Sequence, residues 1–143
     1  MIVVAVDGSD AARDALKFGL HEASIRGTHV RAVHAWMPAP IVTVTGPGMI
    51  VPTDVTPYAT AAEELLRHVV EAVAGDAFEQ VERVVVESPA GAGVLDNAHD
   101  AEMIVVGRRG LNAFESILLG SVSGHVVKHA TCPVLVVPAR HDV

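Results

Sequence analysis

The sequence predicts an α/β fold, with one domain over residues 1–143 built around a doubly wound sheet of five parallel strands. Hydrophobic residues make up 50% of the 143 residues but aromatic residues only 3%, which is typical of a core of Val, Leu, Ile and Ala. Short apolar runs alternate along the chain with stretches of helical periodicity. Right-handed crossovers arrange such an alternation as a parallel sheet with helices on both faces.

Each strand is predicted from an apolar run of strand length that is rich in Val or Ile. These runs are residues 1–6, 29–36, 81–86, 101–106 and 134–137. The helices between them are predicted from apolar stripes and from boundary residues. They extend from Ser9 or Asp10 to Gly27, from Pro57 to Gly75, over residues 93–98 and over residues 121–130. The first and fourth strands flank the point where the strand order reverses, and doubly wound sheets bind their ligands there.

The segment 37–57 interrupts the alternation of strands and helices. It contains five prolines and has no helical period. A loop of this length in a compact domain is commonly functional or partly disordered. The sequence predicts a loop here and does not reveal its role.

The composition argues against several classes of function. The formal net charge is −7 and no run of Lys or Arg is present, whereas non-specific nucleic-acid binding needs a basic face. Cys132 is the single cysteine, and a lone cysteine cannot form an internal disulfide, which favours a reducing compartment. The first residues, MIVVAVDGSD, lack the basic region of a signal peptide and the length of a membrane span. We therefore expect a cytoplasmic protein that binds neither nucleic acid nor membranes.

The fourth strand leads directly into a glycine-rich segment, Gly107 to Ser121, with the pattern G-x2-G-x9-G-S. Gly107 and Gly110 lack a Cβ atom, so the backbone can turn sharply and approach a ligand closely. Gly120 and Ser121 stand where the last helix begins, and the free amides and dipole of a helix N-terminus favour an anion. The Ser121 hydroxyl can bond a phosphate oxygen or a metal-bound water. The segment predicts a phosphate-binding loop; the alternative is that its glycines only shape a loop and cap a helix.

Together with this motif, both ends of the chain resemble the universal stress protein family. The resembling stretches are VAVDGSDAARDAL at the start and LLGSVSGHVVKHATCPVLVVP at the end. The resemblance covers the whole chain except the loop 37–57. It implies the adenine nucleotide alpha hydrolase-like arrangement with strand order 3-2-1-4-5. It also implies bound ATP, with Mg²⁺ or Mn²⁺ held through the phosphates and no direct side-chain ligand to the metal.

The resemblance further implies a set of nucleotide contacts. The positions that match the family's phosphate and ribose contacts are Gly107, Gly110, Gly120 and Ser121. Asp7 matches an acidic residue near the adenine and the ribose, and an Asx turn leading into the first helix is the alternative role for this side chain. Ala35 matches a position that contacts adenine through its backbone.

Two more residues are candidates for phosphate contact. Ser123 lies one turn inside the last helix, on the side that can face a phosphate. Arg108 stands where the family often has a small or hydroxylic residue, so this chain departs from the pattern there. A guanidinium at this position would strengthen phosphate binding, and a solvated surface charge is the alternative interpretation.

These features predict a stress-response protein that binds ATP and acts as a nucleotide-dependent regulatory switch. Three alternatives remain open: a nucleotide-independent interaction module, a slow ATP hydrolase and a cyclic AMP binder. The chain contains no nucleophile elbow and no Walker A lysine motif, so no catalytic residue is predicted. The family commonly dimerises through its final strand, which implies a homodimer through Val134–Val137.

Overall fold

The structure, a computed structural model, describes residues 1–39, 41–42, 49–50, 54–111 and 118–139. Strands and helices alternate along these residues. In chain order the elements are β1 (Ile2–Ala5), α1 (Asp10–Arg26), β2 (Val30–Trp36), β3 (Ile41–Val42), β4 (Met49–Ile50), α2 (Thr56–Ala74), a 3₁₀ helix (Gly75–Gln80), β5 (Glu82–Glu87), α3 (Ala90–Asp96), β6 (Met103–Gly107), α4 (Ser121–His129) and β7 (Val134–Val137).

The main sheet has five parallel strands in the order β5-β2-β1-β6-β7. Counted along the chain, this is the predicted order 3-2-1-4-5. The central strand β1 pairs on both sides, so that Ile2 lies opposite Val30 of β2 and opposite Met103 of β6. Strands β2 and β5 follow one another on one side of β1, and β6 and β7 then follow on the other side. The carboxyl ends of β1 and β6 therefore flank the reversal point, as predicted.

Two apolar layers cover the sheet because side chains of a strand point alternately to opposite faces. Ile2 and Val4 of β1 face the layer formed with α1 and α2, where Leu16 and Leu66 are buried. The opposite layer forms with α3 and α4. Its buried members include Val3, Val33, Val94, Ile104, Val106 and Val126. The sheet is thus buried on both faces, which explains the unbroken apolar runs of the sequence.

The ends of α1 follow the chemistry of the boundary residues. Ser9 is the N-cap, and its hydroxyl oxygen accepts a hydrogen bond from the amide of Ala12 at 3.2 Å. Gly27 ends the helix in the left-handed region with φ 64°. Both residues are those the sequence identified, and the choice between Ser9 and Asp10 is settled for Ser9.

The segment 37–57 contains more structure than the sequence predicted. Its described residues include a short antiparallel pair, in which Ile41 lies opposite Ile50 and Val42 opposite Met49. Helix α2 begins at Thr56, with proline in its first turn as expected. Residues 40, 43–48 and 51–53 lie outside the described part of the chain.

Smaller differences concern element boundaries. Helix α3 covers Ala90–Asp96 rather than residues 93–98, and β6 begins at Met103 rather than at residue 101. Ala101 does not join β6 because its amide donates to the carbonyl of Ala98 in a turn. Among the helices described, none combines the length and the hydropathy needed to cross a membrane.

Candidate functional site

A cleft with a volume of about 570 Å³ opens where β1 and β6 end. Ligand pockets commonly enclose about 300–1,000 Å³, so this cleft has the size of a small-molecule site. Its apolar lining includes Ala5, Val33, Leu65, Val94 and Val106. Its polar lining comprises Asp7, Ser9, His34, Arg109, Ser121 and Ser123. The cleft therefore offers apolar surface for an uncharged ring and polar groups for a charged one.

The Asp7 carboxylate ties the end of β1 to two neighbouring segments. Its Oδ1 accepts hydrogen bonds from the Ser9 amide at 2.9 Å and from the Ser9 hydroxyl at 2.6 Å. Its Oδ2 accepts from the amide of Leu111 at 3.3 Å. The Asx turn considered for Asp7 is thus present. Because a carboxylate has about four acceptor positions and these bonds use three, one remains for a ligand.

The two glycines at the start of the motif meet different surroundings. A Cβ atom on Gly107 would lie 2.9 Å from the carbonyl carbon and the Cβ atom of Ala11. Gly107 therefore allows β6 to pack closely against α1. A Cβ atom on Gly110 would overlap Oδ2 of Asp7. Gly110 therefore allows the loop to close over the Asp7 carboxylate.

The backbone of Arg108 joins the glycine-rich loop to both the last helix and the last strand. Its amide donates to the carbonyl of Val137 at 2.7 Å. Its carbonyl accepts from the amide of Gly120 at 2.8 Å and from the hydroxyl of Ser123 at 2.8 Å. These bonds hold the start of α4 against the end of β6.

The N-terminus of α4 opens into the cleft without a capping side chain. The helix follows Gly120, which has no side chain to accept a hydrogen bond. The amides of the first helical turn have no acceptor within their own helix. These amides belong to Ser121, Val122 and Ser123, which all line the cleft. They and the positive end of the helix dipole can bind an anion.

Ser123 supports this turn from inside the protein. It is 1% exposed, and its hydroxyl is directed to the carbonyls of Arg108 at 2.8 Å and of Gly120 at 3.1 Å. A hydroxyl has a single hydrogen, so that hydrogen is committed to the loop. Ser121, by contrast, is exposed and has a hydroxyl without a partner among the described residues.

The structure brings together almost all of the residues predicted to bind nucleotide. Those that line the cleft are Asp7, Ala35, Gly107, Gly110, Gly120, Ser121 and Ser123. Arg108 is not among the lining residues, and its Nε is buried with no hydrogen-bond acceptor among the described residues. The backbone of Arg108 thus shapes the site, and the two interpretations of its guanidinium stay predictions.

Comparison with known proteins decides the family. The family model described as "Universal stress protein family" matches residues 1–138. The chain belongs to this family. Among its curated relatives, a universal stress protein of Mycobacterium tuberculosis H37Rv is 33% identical over 142 residues, which cover 99% of this chain and 49% of the relative. A universal stress protein of Thermus aquaticus is 32% identical, with 95% of this chain and 96% of the relative covered.

Solved universal stress proteins share the fold. The UspA protein of Lactobacillus plantarum has a TM-score of 0.73 at 23% identity, with 95% of each chain covered. A universal stress protein of Archaeoglobus fulgidus in complex with dAMP has a TM-score of 0.67 at 30% identity, again with 95% of each chain covered. A further one, in complex with cAMP, has a TM-score of 0.69 at 22% identity and covers 97% of this chain and 96% of its own. The chain spans about half the length of the mycobacterial relative.

Sequence reasoning missed several residues in the cleft of this universal stress protein. His34 lines it, and its Nδ1 lies 2.7 Å from the carbonyl oxygen of Val6, so Nδ1 carries a hydrogen and donates it. Leu65 of α2 also lines the cleft. Arg109 lines the cleft beside Gly110. The sequence pattern indicated Arg108 and Gly110 as nucleotide contacts but not Arg109. Only the path of the loop decides which of the two adjacent arginines lines the cleft.

Proposed function

We propose that this universal stress protein domain binds ATP in the cleft between β1 and β6 and that occupancy acts as a regulatory switch. The observation that carries the proposal is the convergence of the glycine-rich loop and the uncapped N-terminus of α4 on one cleft. Free amides at a helix N-terminus are a common phosphate-binding element. The apolar part of the same cleft then accommodates the base.

The proposed placement of the nucleotide follows the chemistry of the lining. The adenine lies against the apolar walls and the backbone of Ala35, and the ribose lies near the remaining acceptor position of Asp7. The phosphates lie against Gly110, Gly120 and Ser121. Mg²⁺ or Mn²⁺ would be held by the phosphates and would enter the cleft with the nucleotide.

The relatives support the class of ligand. One solved neighbour is in complex with dAMP and another with cAMP, and both are adenine nucleotides. The ATP assignment and the switch go beyond these neighbours. A switch requires two states of the protein that differ in their affinity for ATP, whether they differ in conformation or in association.

Calorimetric titration of ligand-stripped protein tests the proposal. ATP with Mg²⁺ is titrated beside ADP, AMP and cyclic AMP, and saturable binding of ATP at one site per chain is expected. Binding of no adenylate would contradict the proposal and favour the nucleotide-independent interaction module. Phosphate release that exceeds the release by a Gly110→Val variant would add a slow ATP hydrolase activity to the binding function.

A homodimer through β7 is part of the proposal. Both β5 and β7 are edge strands of the main sheet. The sequence of β5, ERVVVE, places charges along that strand, whereas β7 reads VLVV and has none. Charged residues protect an edge against pairing, so β7 is the edge that favours a partner strand. Light scattering at increasing concentration is expected to show twice the mass of the chain, and a monomer at high concentration would refute the dimer.

The proposed location is the cytoplasm. It rests on the single cysteine, which suits a reducing compartment. Fractionation of cells that produce the protein from its own promoter would test it.

A further inference from the structure

The backbone of Arg109 lies beside the N-terminus of α4, and Arg109 lines the cleft. A Cβ atom on Gly120, the residue before α4, would lie 3.3 Å from the Cα atom of Arg109. The arginine backbone therefore packs directly on the start of the helix. Arg109 is half-buried and forms part of the cleft wall. The Arg109 side chain therefore begins beside the helix amides that suit a phosphate.

In the part of the chain that the structure describes, no anionic group is paired with the Arg109 guanidinium. Among the described residues, Arg109 takes part in no ion pair and no hydrogen bond. The carboxylate in the cleft wall, Asp7, accepts its hydrogen bonds from Ser9 and Leu111 instead. Of the described lining residues, Arg109 alone carries a permanent positive charge. A guanidinium at the cleft wall is therefore available to pair with an anionic ligand.

The cleft therefore has two separate elements for negative charge. The amides of the first turn of α4 can hold one phosphate group. The Arg109 guanidinium can hold another, because its planar donors match two phosphate oxygens at once. A ligand with a single phosphate can satisfy only one of these elements fully, whereas a chain of phosphates can satisfy both.

We propose that Arg109 is a specificity-determining residue that makes the cleft prefer a nucleoside polyphosphate over a nucleoside monophosphate or a cyclic monophosphate. The inference rests on the proposed function, since it needs an adenine nucleotide in this cleft. It names the class of ligand within that function. It also distinguishes Arg109 from Arg108, the arginine that the sequence pattern singled out.

The test is the ratio of affinities for ATP and AMP in the full chain, with cyclic AMP as the third ligand. In Arg109→Gln, the affinity for ATP is expected to fall about 10- to 100-fold, the range typical of a lost hydrogen bond to a charged group. The affinity for AMP and cyclic AMP is expected to change less than about threefold, so the preference for ATP falls at least about threefold. Titrations with Mg²⁺ and with a chelator show whether the effect persists when no metal neutralises the phosphates.

Two further variants make the result specific. Arg108→Gln removes the same charge one residue away, from a side chain that does not line the cleft. If Arg108→Gln lowers the preference for ATP and Arg109→Gln does not, the inference is overturned. Arg26→Gln removes a charge at the end of α1, far from the cleft, where the arginine pairs with Glu22 on the surface. This control is expected to leave all three affinities unchanged.

Failure of the inference is distinguishable from failure of the proposed function. If the unaltered protein binds no adenylate, both are overturned. If it binds ATP but Arg109→Gln weakens ATP, AMP and cyclic AMP by the same factor, the proposed function stands and the inference is wrong, because the arginine then only supports the cleft. Thermal unfolding of each variant without ligand shows whether a general loss of structure causes a uniform effect.

Discussion

Replacing Gly110 by Ala is expected to lower the affinity of the cleft for ATP by about tenfold or more, which corresponds to about 1.4 kcal/mol. The new Cβ atom would overlap Oδ2 of Asp7. The carboxylate cannot move away freely, because its oxygens accept hydrogen bonds from Ser9 and Leu111. Either the carboxylate or the loop must shift, and both are walls of the cleft. Calorimetric titration with ATP and Mg²⁺ measures the effect.

A second glycine in the same region provides the matched control. A Cβ atom on Gly124, inside α4, would meet no atom within 4 Å. Gly124→Ala therefore makes the same chemical change without a collision, and ATP affinity should stay the same. It should also stabilise the fold by about 0.5–1 kcal/mol, since Ala is favoured over Gly inside a helix. Equal ATP affinity in Gly110→Ala and in the unaltered protein would show that Asp7 and the loop do not contact the ligand.

Replacing Gly107 by Ala is expected to act on stability, with a loss of about 1–3 kcal/mol in the free energy of unfolding. The new Cβ atom would lie 2.9 Å from the carbonyl carbon of Ala11, a backbone atom that cannot turn aside. Helix α1 would have to move away from β6, and both elements belong to the core. Thermal and urea unfolding without ligand measure the effect, which should lower the melting temperature by about 3 °C per kcal/mol.

A double-mutant cycle with Ala11→Gly identifies the cause. Ala11→Gly alone is expected to cost about 0.5–1 kcal/mol because Ala11 lies inside α1. In the Ala11→Gly background, however, Gly107→Ala should cost less than in the unaltered protein, because the side-chain part of the collision is gone and only the backbone part remains. The opposite result would be informative: unchanged stability with lost ATP binding would mean that Gly107 serves close approach to the ligand, as the sequence pattern alone suggests. Gly110→Ala is thus expected to lower the affinity for ATP, and Gly107→Ala is expected to lower the free energy of unfolding.

The sequence predicted the fold well because local chemistry and chain connectivity determine it. Buried strands read as unbroken apolar runs, and right-handed crossovers leave few possible strand orders. Ser9 and Gly27 carried recognisable boundary signals for α1. The pair of β3 and β4 was missed because two-residue strands are too short to show a period.

The candidate site was predictable where it depends on the backbone and not where it depends on the direction of side chains. Gly110, Gly120 and Ser121 stand in a motif whose purpose is to shape the loop, and all three line the cleft. Arg108 and Arg109 are adjacent and identical in type, so only the three-dimensional path of the loop separates them. His34 and Leu65 reach the cleft from separate elements, β2 and α2, and no spacing along the chain links them to the motif.

Because α4 has no capping side chain, the proposed ligand would also have a structural role at the start of this helix. A serine hydroxyl accepts from a first-turn amide of α1, whereas α4 follows a glycine and its first turn lines an open cleft. A phosphate bound there would serve as a detachable N-cap, so the helix would be complete only in the presence of the nucleotide. The stability of the last helix would then rise with the nucleotide concentration around it. The resistance of the carboxyl-terminal part of the fold to local unfolding would then increase with the concentration of ATP.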